Sequence, residues 1–171
     1  TDPATAREFA AQIGREVDQL AQLVDELLDL SMIESGESKL MIEAADPGQL
    51  VHGTAERIGP VATRRGMTVR ELAHPADGAG VRAAADPTRL GQALVNLAHN
   101  AVKYSPDSTP IEIVVRGRRL EVHDDGPGIP DDDRAHVFDR FFRSVQTRTQ
   151  PGSGLGLAIV KQAVERHGGT V

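Results

Sequence analysis

Asn96-Leu-Ala-His-Asn100-Ala-Val-Lys103-Tyr104 closes a helical pattern that Asp86-Pro87 opens, with Leu90, Leu94, Leu97 and Ala101 on its apolar face. Asn96 and Asn100 are four positions apart and therefore share one side of that helix. Side-chain amides offer oxygen to a hard cation such as Mg²⁺ without placing further negative charge beside a phosphate. The same two residues could instead satisfy backbone groups near the helix end, and the spacing alone leaves both readings open. Lys103 lies three residues on, where its ammonium can reach a phosphate oxygen or simply stay in solvent. His99, between the two asparagines, either polarises a phosphate or packs against a sheet.

Two later stretches extend the pattern. Asp124-Asp-Gly126-Pro-Gly128-Ile129 follows a β-rich run. A carboxylate at a strand end can accept a hydrogen bond from an exocyclic amino group, and glycines let the backbone approach a flat ring, although Asp-Gly-Pro-Gly is also an ordinary turn. Gly152-Ser153-Gly154-Leu155-Gly156-Leu157 opens the last helical segment, where main-chain N–H groups and the positive end of the helix dipole suit phosphate. No Gly-Lys-Ser/Thr follows it and no strand precedes it, which excludes a P-loop and a dinucleotide-binding turn. Between these two lies Val137-Phe138-Asp-Arg140-Phe141-Phe142-Arg143. Its aromatics can anchor a mobile segment while Arg140 or Arg143 offers a planar fork to a phosphate. The polar run Ser144–Pro151 is placed to act as a lid.

The remaining sequence reads as two parts. Residues 1–46 hold eleven acids and three bases, and residues 47–171 hold fourteen acids and sixteen bases, within a total of 171 residues and a net charge of −6. That break sets a boundary near residue 46, and no basic face of the kind that binds nucleic acid is evident. Ile13, Val17, Leu20, Val24 and Leu27 form a heptad seam in a helix over residues 5–34, which Leu23, Leu28 and Leu30 widen and Ser35-Gly36-Glu37-Ser38 ends. Such a stripe needs a bundle or its own domain to cover it. Beyond it the spacing predicts strands at Lys39–Ala44, Met67–Leu72, Gly80–Ala85, Ile111–Val115 and Leu120–Val122. Helices are predicted at Pro47–Arg65, Asp86–Tyr104, Asp133–Phe142 and Leu155–His167, with Arg116-Gly-Arg-Arg119 as a hairpin turn. The order predicts an α/β (α+β) two-layer sandwich, a mixed sheet covered by helices on one face and preceded by one long amphipathic helix. Cysteine is absent, so disulfides, thiolate zinc sites and cysteine nucleophiles are excluded. No apolar run is long enough to span a bilayer, which leads to the expectation of a cytoplasmic chain, joined to a membrane sensor only through a partner or an upstream segment.

The three glycine- and asparagine-bearing stretches, in this order, resemble those of the ATP-binding catalytic domain of two-component sensor histidine kinases, a branch of the superfamily that includes gyrase and Hsp90-like ATPases. The resemblance runs from about Phe9 to Val171. It implies a Bergerat-type fold in residues 39–171 and assigns residues 1–38 to the second helix of the family's dimerisation and phosphotransfer hairpin. It further implies ATP and Mg²⁺ as ligands, Asn100 and then Asn96 at the metal, and Asp124 at the adenine. Asn96, Asn100, Lys103, Arg140 and Arg143 become the catalytic candidates. The nucleotide would also contact His99, Tyr104, Gly126, Gly128, Ile129, Phe138, and Gly152 through Leu157. Gln92 stands where ATPases of the wider superfamily carry a water-activating glutamate; an amide cannot act as that base.

The chain departs from the family in two respects. None of His52, His74, His99, His123, His136 or His167 sits in the phospho-acceptor motif, and the sequence stops where the family continues with further strands. The reading is therefore a protein-histidine kinase that phosphorylates a histidine on a partner chain in trans. That chain would supply the missing helix, a response regulator would receive the phosphoryl group, and the N-terminal helix could dimerise. The alternatives are an inactive module that binds nucleotide and a partner helix, and a serine kinase resembling anti-sigma factors.

Overall fold

The computed structural model describes residues 2, 5, 7, 9–10, 12–14, 17, 20, 24, 27, 39–73, 82–145, 150 and 152–171. The chain divides into two compact units, Thr1–Lys39 and Leu40–Val171. In the first, the seam residues Ile13, Val17, Leu20, Val24 and Leu27 are helical and about half or more exposed, as is Phe9. Leu23, Leu28, Leu30 and the expected terminator Ser35–Ser38 lie outside the described residues.

The second unit runs β1 (Glu43–Ala45), α1 (Pro47–Arg64), β2 (Thr68–Ala73), β3 (Ala83–Ala85), α2 (Pro87–Tyr104), β4 (Pro110–Arg116), β5 (Arg119–His123), α3 (Asp131–Arg134) and α4 (Gly156–Arg166). The two long helices start in the same way. Asp46 accepts from the Gly48 N–H at 2.9 Å and Asp86 from the Arg89 N–H at 3.1 Å, each followed by a proline in the first turn. These caps satisfy N–H groups that the helix itself cannot, and proline has none to lose there.

β2, β4 and β5 form a mixed sheet. β2 runs parallel to β4 with Thr68 opposite Pro110, and β4 pairs antiparallel with β5 through a Gly117-Arg118 turn. β1 and β3 form a separate antiparallel ladder, Glu43 opposite Ala85. Ile111, Ile113 and Val115 alternate along β4 and project from one face, where Val51, Ala55, Ile58 and Ala62 of α1 and Leu94, Ala98, Ala101 and Val102 of α2 cover them. α4 packs on α2 through small residues, Ala93 against Val160 and Ala163. The architecture is the expected α/β sandwich, with α2 held between sheet and α4.

Two elements shift from their expected places. The strand predicted at Lys39–Ala44 begins only at Glu43, because the Met41 N–H is taken by the Asp86 carboxylate at 3.0 Å and β3 offers three residues to pair with. Gly80 and Val81, in the strand predicted at Gly80–Ala85, lie outside the described residues. The helix predicted at Asp133–Phe142 is instead Asp131–Arg134 followed by turns. The Pro130 carbonyl accepts from the Asp133 and Arg134 N–H groups and so fixes the earlier start. Further on, Phe141 takes a left-handed conformation (φ 59°) that no helix continues through.

Candidate functional site

The last two turns of α2 point at both later motifs. Asn96 donates from Nδ2 to the Gly156 carbonyl at 3.3 Å and accepts from Gln92 Nε2 at 3.4 Å, tying α2 to the start of α4. Lys103 Nζ donates to the Tyr104 hydroxyl at 2.8 Å and lies 4.6 Å from its ring centroid. A Cβ on Gly152 would stand 2.9 Å from that ammonium, so the lysine reaches the first glycine of the loop. Gly154 has even less room. With φ +74° it adopts a backbone open mainly to glycine, and a Cβ there would come within 2.8 Å of the Phe141 carbonyl carbon and the Phe142 oxygen. The Phe141 N–H donates to the Gly154 carbonyl at 3.0 Å, which fastens the aromatic segment to the glycine loop.

The Asp124 loop meets the same helix end. Asp124 Oδ1 accepts from the Gly126 N–H at 2.7 Å and from the Ser105 hydroxyl at 3.3 Å, while the residue itself is exposed. A Cβ on Gly126 would lie 3.5 Å from the Tyr104 carbonyl oxygen. Ser105 is only 2 % exposed and was not among the sequence candidates. Its one legible sign was its place at the helix end before Pro106, where a short hydroxyl residue finds local partners.

Asn96, Lys103, Tyr104, Asp124, Gly126, Gly152, Gly154 and Gly156 are thus brought together by direct approaches. The other candidates sit as follows. Asn100 is half-buried one turn beyond Asn96, and His99 is exposed. Gly128 (φ +73°) and Ile129 are exposed in the loop, with the Ile129 carbonyl accepting from Arg134 Nε at 3.4 Å. Ser153 Oγ accepts from the Leu155 N–H at 3.1 Å; Leu155 itself is 1 % exposed, so its side chain belongs to the core, and Leu157 is half-buried. Lys161 Nζ is 6.0 Å from the Phe138 ring, and Phe142 packs on His136 at 5.8 Å. Phe141, expected as an anchor, is 61 % exposed, because its left-handed backbone turns the ring outward while the main chain holds the loop. Arg140 is exposed, and Arg143 donates to the Gln150 carbonyl. Residues 146–149 and 151 of the expected lid lie outside the described residues, as does His74.

Two carboxylates near this framework are displaced in acidity. Burial of Asp86 works against ionisation, but the N–H groups of Met41, Arg89 and Thr88 and the Arg89 charge outweigh it, holding the carboxyl below its ordinary value. The Asp86 N–H also donates to His167 Nε2 at 2.9 Å, and His167 Nδ1 donates to the Ala163 carbonyl at 2.7 Å, which fixes the proton on Nδ1. The His123 imidazole beside Glu121 lowers that carboxyl; burial opposes the effect, and Arg116 and Arg119 add to it. His52 pairs with Glu71, and His136 with Asp139.

The sequence model of the histidine kinase-, DNA gyrase B-, and HSP90-like ATPase family matches residues 85–171, which contain every element just described around α2, β5 and the glycine loop. The sensor-like histidine kinase SenX3 of Mycolicibacterium smegmatis is 35% identical, with 99% of this chain and 45% of that protein covered. The signal transduction histidine-protein kinase/phosphatase MprB of Mycobacterium leprae is 35% identical over 95% of this chain and 30% of its own length. Among solved structures, full-length ShkA in complex with AMPPNP superposes with a TM-score of 0.79 at 27% identity, covering 95% of this chain and 34% of that one. A mycobacterial sensor histidine kinase MprB structure gives a TM-score of 0.61 at 35% identity, over 75% of this chain and 81% of its own. The chain spans less than half the length of these curated relatives. With its asparagine helix, aspartate turn and glycine loop assembled in this order, the chain belongs to the histidine kinase-, DNA gyrase B-, and HSP90-like ATPase family and is homologous to the sensor histidine kinases.

Proposed function

We propose that Leu40–Val171 binds Mg-ATP between α2, the Asp124 loop and the Gly152–Leu157 loop, and transfers the γ-phosphoryl group to a histidine on a partner chain. The observation that carries this reading is the meeting of Lys103 with Gly152, Asn96 with Gly156, and Tyr104 with Gly126. It leaves an ammonium and loop N–H groups on the phosphate side and an exposed carboxylate on the base side. These donors and acceptors fit a nucleotide: the cations and amides neutralise phosphate oxygens, and Asp124 accepts from the adenine amino group. Asn100 and Asn96 would hold Mg²⁺, which supplies charge neutralisation across the phosphates. Arg140 and Arg143 lie on the segment fastened to Gly154 and would approach the γ-phosphoryl group as that segment closes.

In the transfer itself a histidine nitrogen attacks the γ-phosphorus, its bond to the β,γ-bridging oxygen breaks, and ADP leaves. The protein contributes chiefly position and charge. Gln92, hydrogen-bonded to Asn96, places an amide where it cannot deprotonate water, which favours transfer over hydrolysis. The partner would present its histidine on a helix against the exposed seam of Ile13, Val17, Leu20, Val24 and Leu27, with a response regulator as the later acceptor.

Incubation with γ-labelled ATP and Mg²⁺, alone and with a candidate partner carrying a histidine helix, tests this, with Asn100→Ala as the blank. Acid-labile, base-stable label on the partner only is the expected result. Label on this chain alone would place the acceptor among its own histidines. ATP binding without label on either protein would favour a nucleotide-binding module.

A further inference from the structure

Arg65 follows the last residue of α1, far along the chain from the motifs above, yet its side chain ends on α2. Its guanidinium donates to the carbonyls of Val102, of Lys103 at 3.2 Å and of Ser105 at 3.0 Å, and its Nε and Nη2 each lie 2.7 Å from Asp107 Oδ1. Carbonyls in the last turn of a helix have no partner within it, and a cation there also opposes the negative end of the dipole. One planar fork therefore closes two of them, on Val102 and Lys103, together with the carbonyl of the capping residue Ser105. The main chain repeats the link: the Ser108 N–H donates to the Arg65 carbonyl at 3.1 Å, and Gly66 and Ser108, with φ of 67° and 66°, turn against each other.

We propose that Arg65 is a positioning residue for the nucleotide, holding the end of α2 so that Lys103, Tyr104 and, through Ser105, the Asp124 carboxylate keep their receiving geometry. Two of the three residues whose carbonyls it grips, Lys103 and Ser105, make site contacts, and Tyr104 lies between them. Lys103 faces Gly152, Ser105 Oγ donates to Asp124, and the Tyr104 carbonyl lies against Gly126. Lysine would keep the charge but could not span the three carbonyls. This inference rests on the nucleotide reading of the site.

The test is calorimetric titration of the whole chain with Mg-ATP, with ¹H–¹⁵N spectra and thermal unfolding in parallel. The variants are Arg65→Lys, Ser105→Ala, their combination, Asn100→Ala as the blank, and Arg70→Ala as a surface arginine paired to Glu112. Arg65→Lys is expected to unfold cooperatively, to bind ATP about tenfold more weakly, as for one lost positioning contact, and to move the Gly126 amide resonance. Combined with Ser105→Ala it should lose little beyond the weaker single variant, because both act through one chain of contacts. Arg70→Ala should leave the affinity and the Gly126 resonance unchanged. Wild-type affinity in Arg65→Lys, an unmoved Gly126 amide, losses that multiply in the double variant, or an Arg65→Lys chain that does not fold would each overturn the proposal. If the wild-type chain binds Mg-ATP no better than Asn100→Ala, the nucleotide reading fails first and Arg65 falls with it.

Discussion

Asp86 and Asp124 each follow a strand, and each accepts a hydrogen bond from a main-chain N–H two or three residues on. Their surroundings differ entirely. Asp86 is 5 % exposed, with both carboxylate oxygens engaged, by Met41 and by Arg89, and its own N–H on His167. It joins the approach to β1, the start of α2 and the end of α4. Asp124 is exposed, and the contacts described above fall on Oδ1. A carboxylate whose acceptor capacity is used inside the fold stabilises it, whereas one held by a single oxygen at the surface is oriented with capacity to spare for a ligand. Asp86 caps the start of α2 and Asp124 meets its end through Ser105, so the helix is anchored at one end and presented at the other.

Substitutions can break this contrast, and Asp86→Ala should do the most damage. It removes a helix cap and the acceptor of a long-range bond together, and urea unfolding should show a loss of about 3 kcal/mol. Asp124→Asn keeps the shape and should leave the unfolding curve in place, while calorimetry should show ATP affinity falling roughly thirtyfold, the scale of a lost charged acceptor. A large stability loss there would mean that Asp124 too serves mainly the fold. His167→Phe removes the acceptor for the Asp86 N–H and should cost about 1 kcal/mol of stability, again read in urea.

Acid sharpens the comparison further. A carboxyl held below its ordinary value of 3.8 contributes stability that is complete above that pH and fades as pH falls through the lower folded value. Stability measured downward from pH 5 should therefore decline more steeply in the wild type than in Asp86→Asn, which has no such proton to take up. Equal slopes would show that Asp86 is not the group responsible. This is the smallest of the four effects, since other carboxylates titrate over the same interval.

The sequence carried this framework unevenly, and the reason is the range of each interaction. Asp46-Pro47 and Asp86-Pro87 announce helix starts because cap and proline act within four residues, and both helices begin there. The alternation of Ile111, Ile113 and Val115 likewise reveals a strand with one covered face. β1 was displaced because Met41 hydrogen-bonds to Asp86, a partner no local pattern can name. Arg65 entered the sequence reading only as the last residue of the helix predicted at Pro47–Arg65, since its three carbonyl partners exist only after α1 and α2 pack together. In the site, the asparagine, aspartate and glycine motifs were visible as residue types at fixed spacing. Ser105 and the outward turn of Phe141 were not, being products of burial and of a left-handed backbone.

The two strand pairings have a kinetic consequence. Glu43 pairs with Ala85 and Thr68 with Pro110, the same interval along the chain in both cases, and the two intervals overlap. Neither ladder can close as a local hairpin, and each loop-closure entropy must be met before the contacts that repay it exist. While it is being synthesised, the chain has the strands of the three-residue β1–β3 ladder once Ala85 has emerged, but the mixed sheet cannot begin to pair until β4 has emerged. Residues 43–73 and 82–110 should then gain protection from hydrogen exchange together, as one cooperative block, rather than element by element.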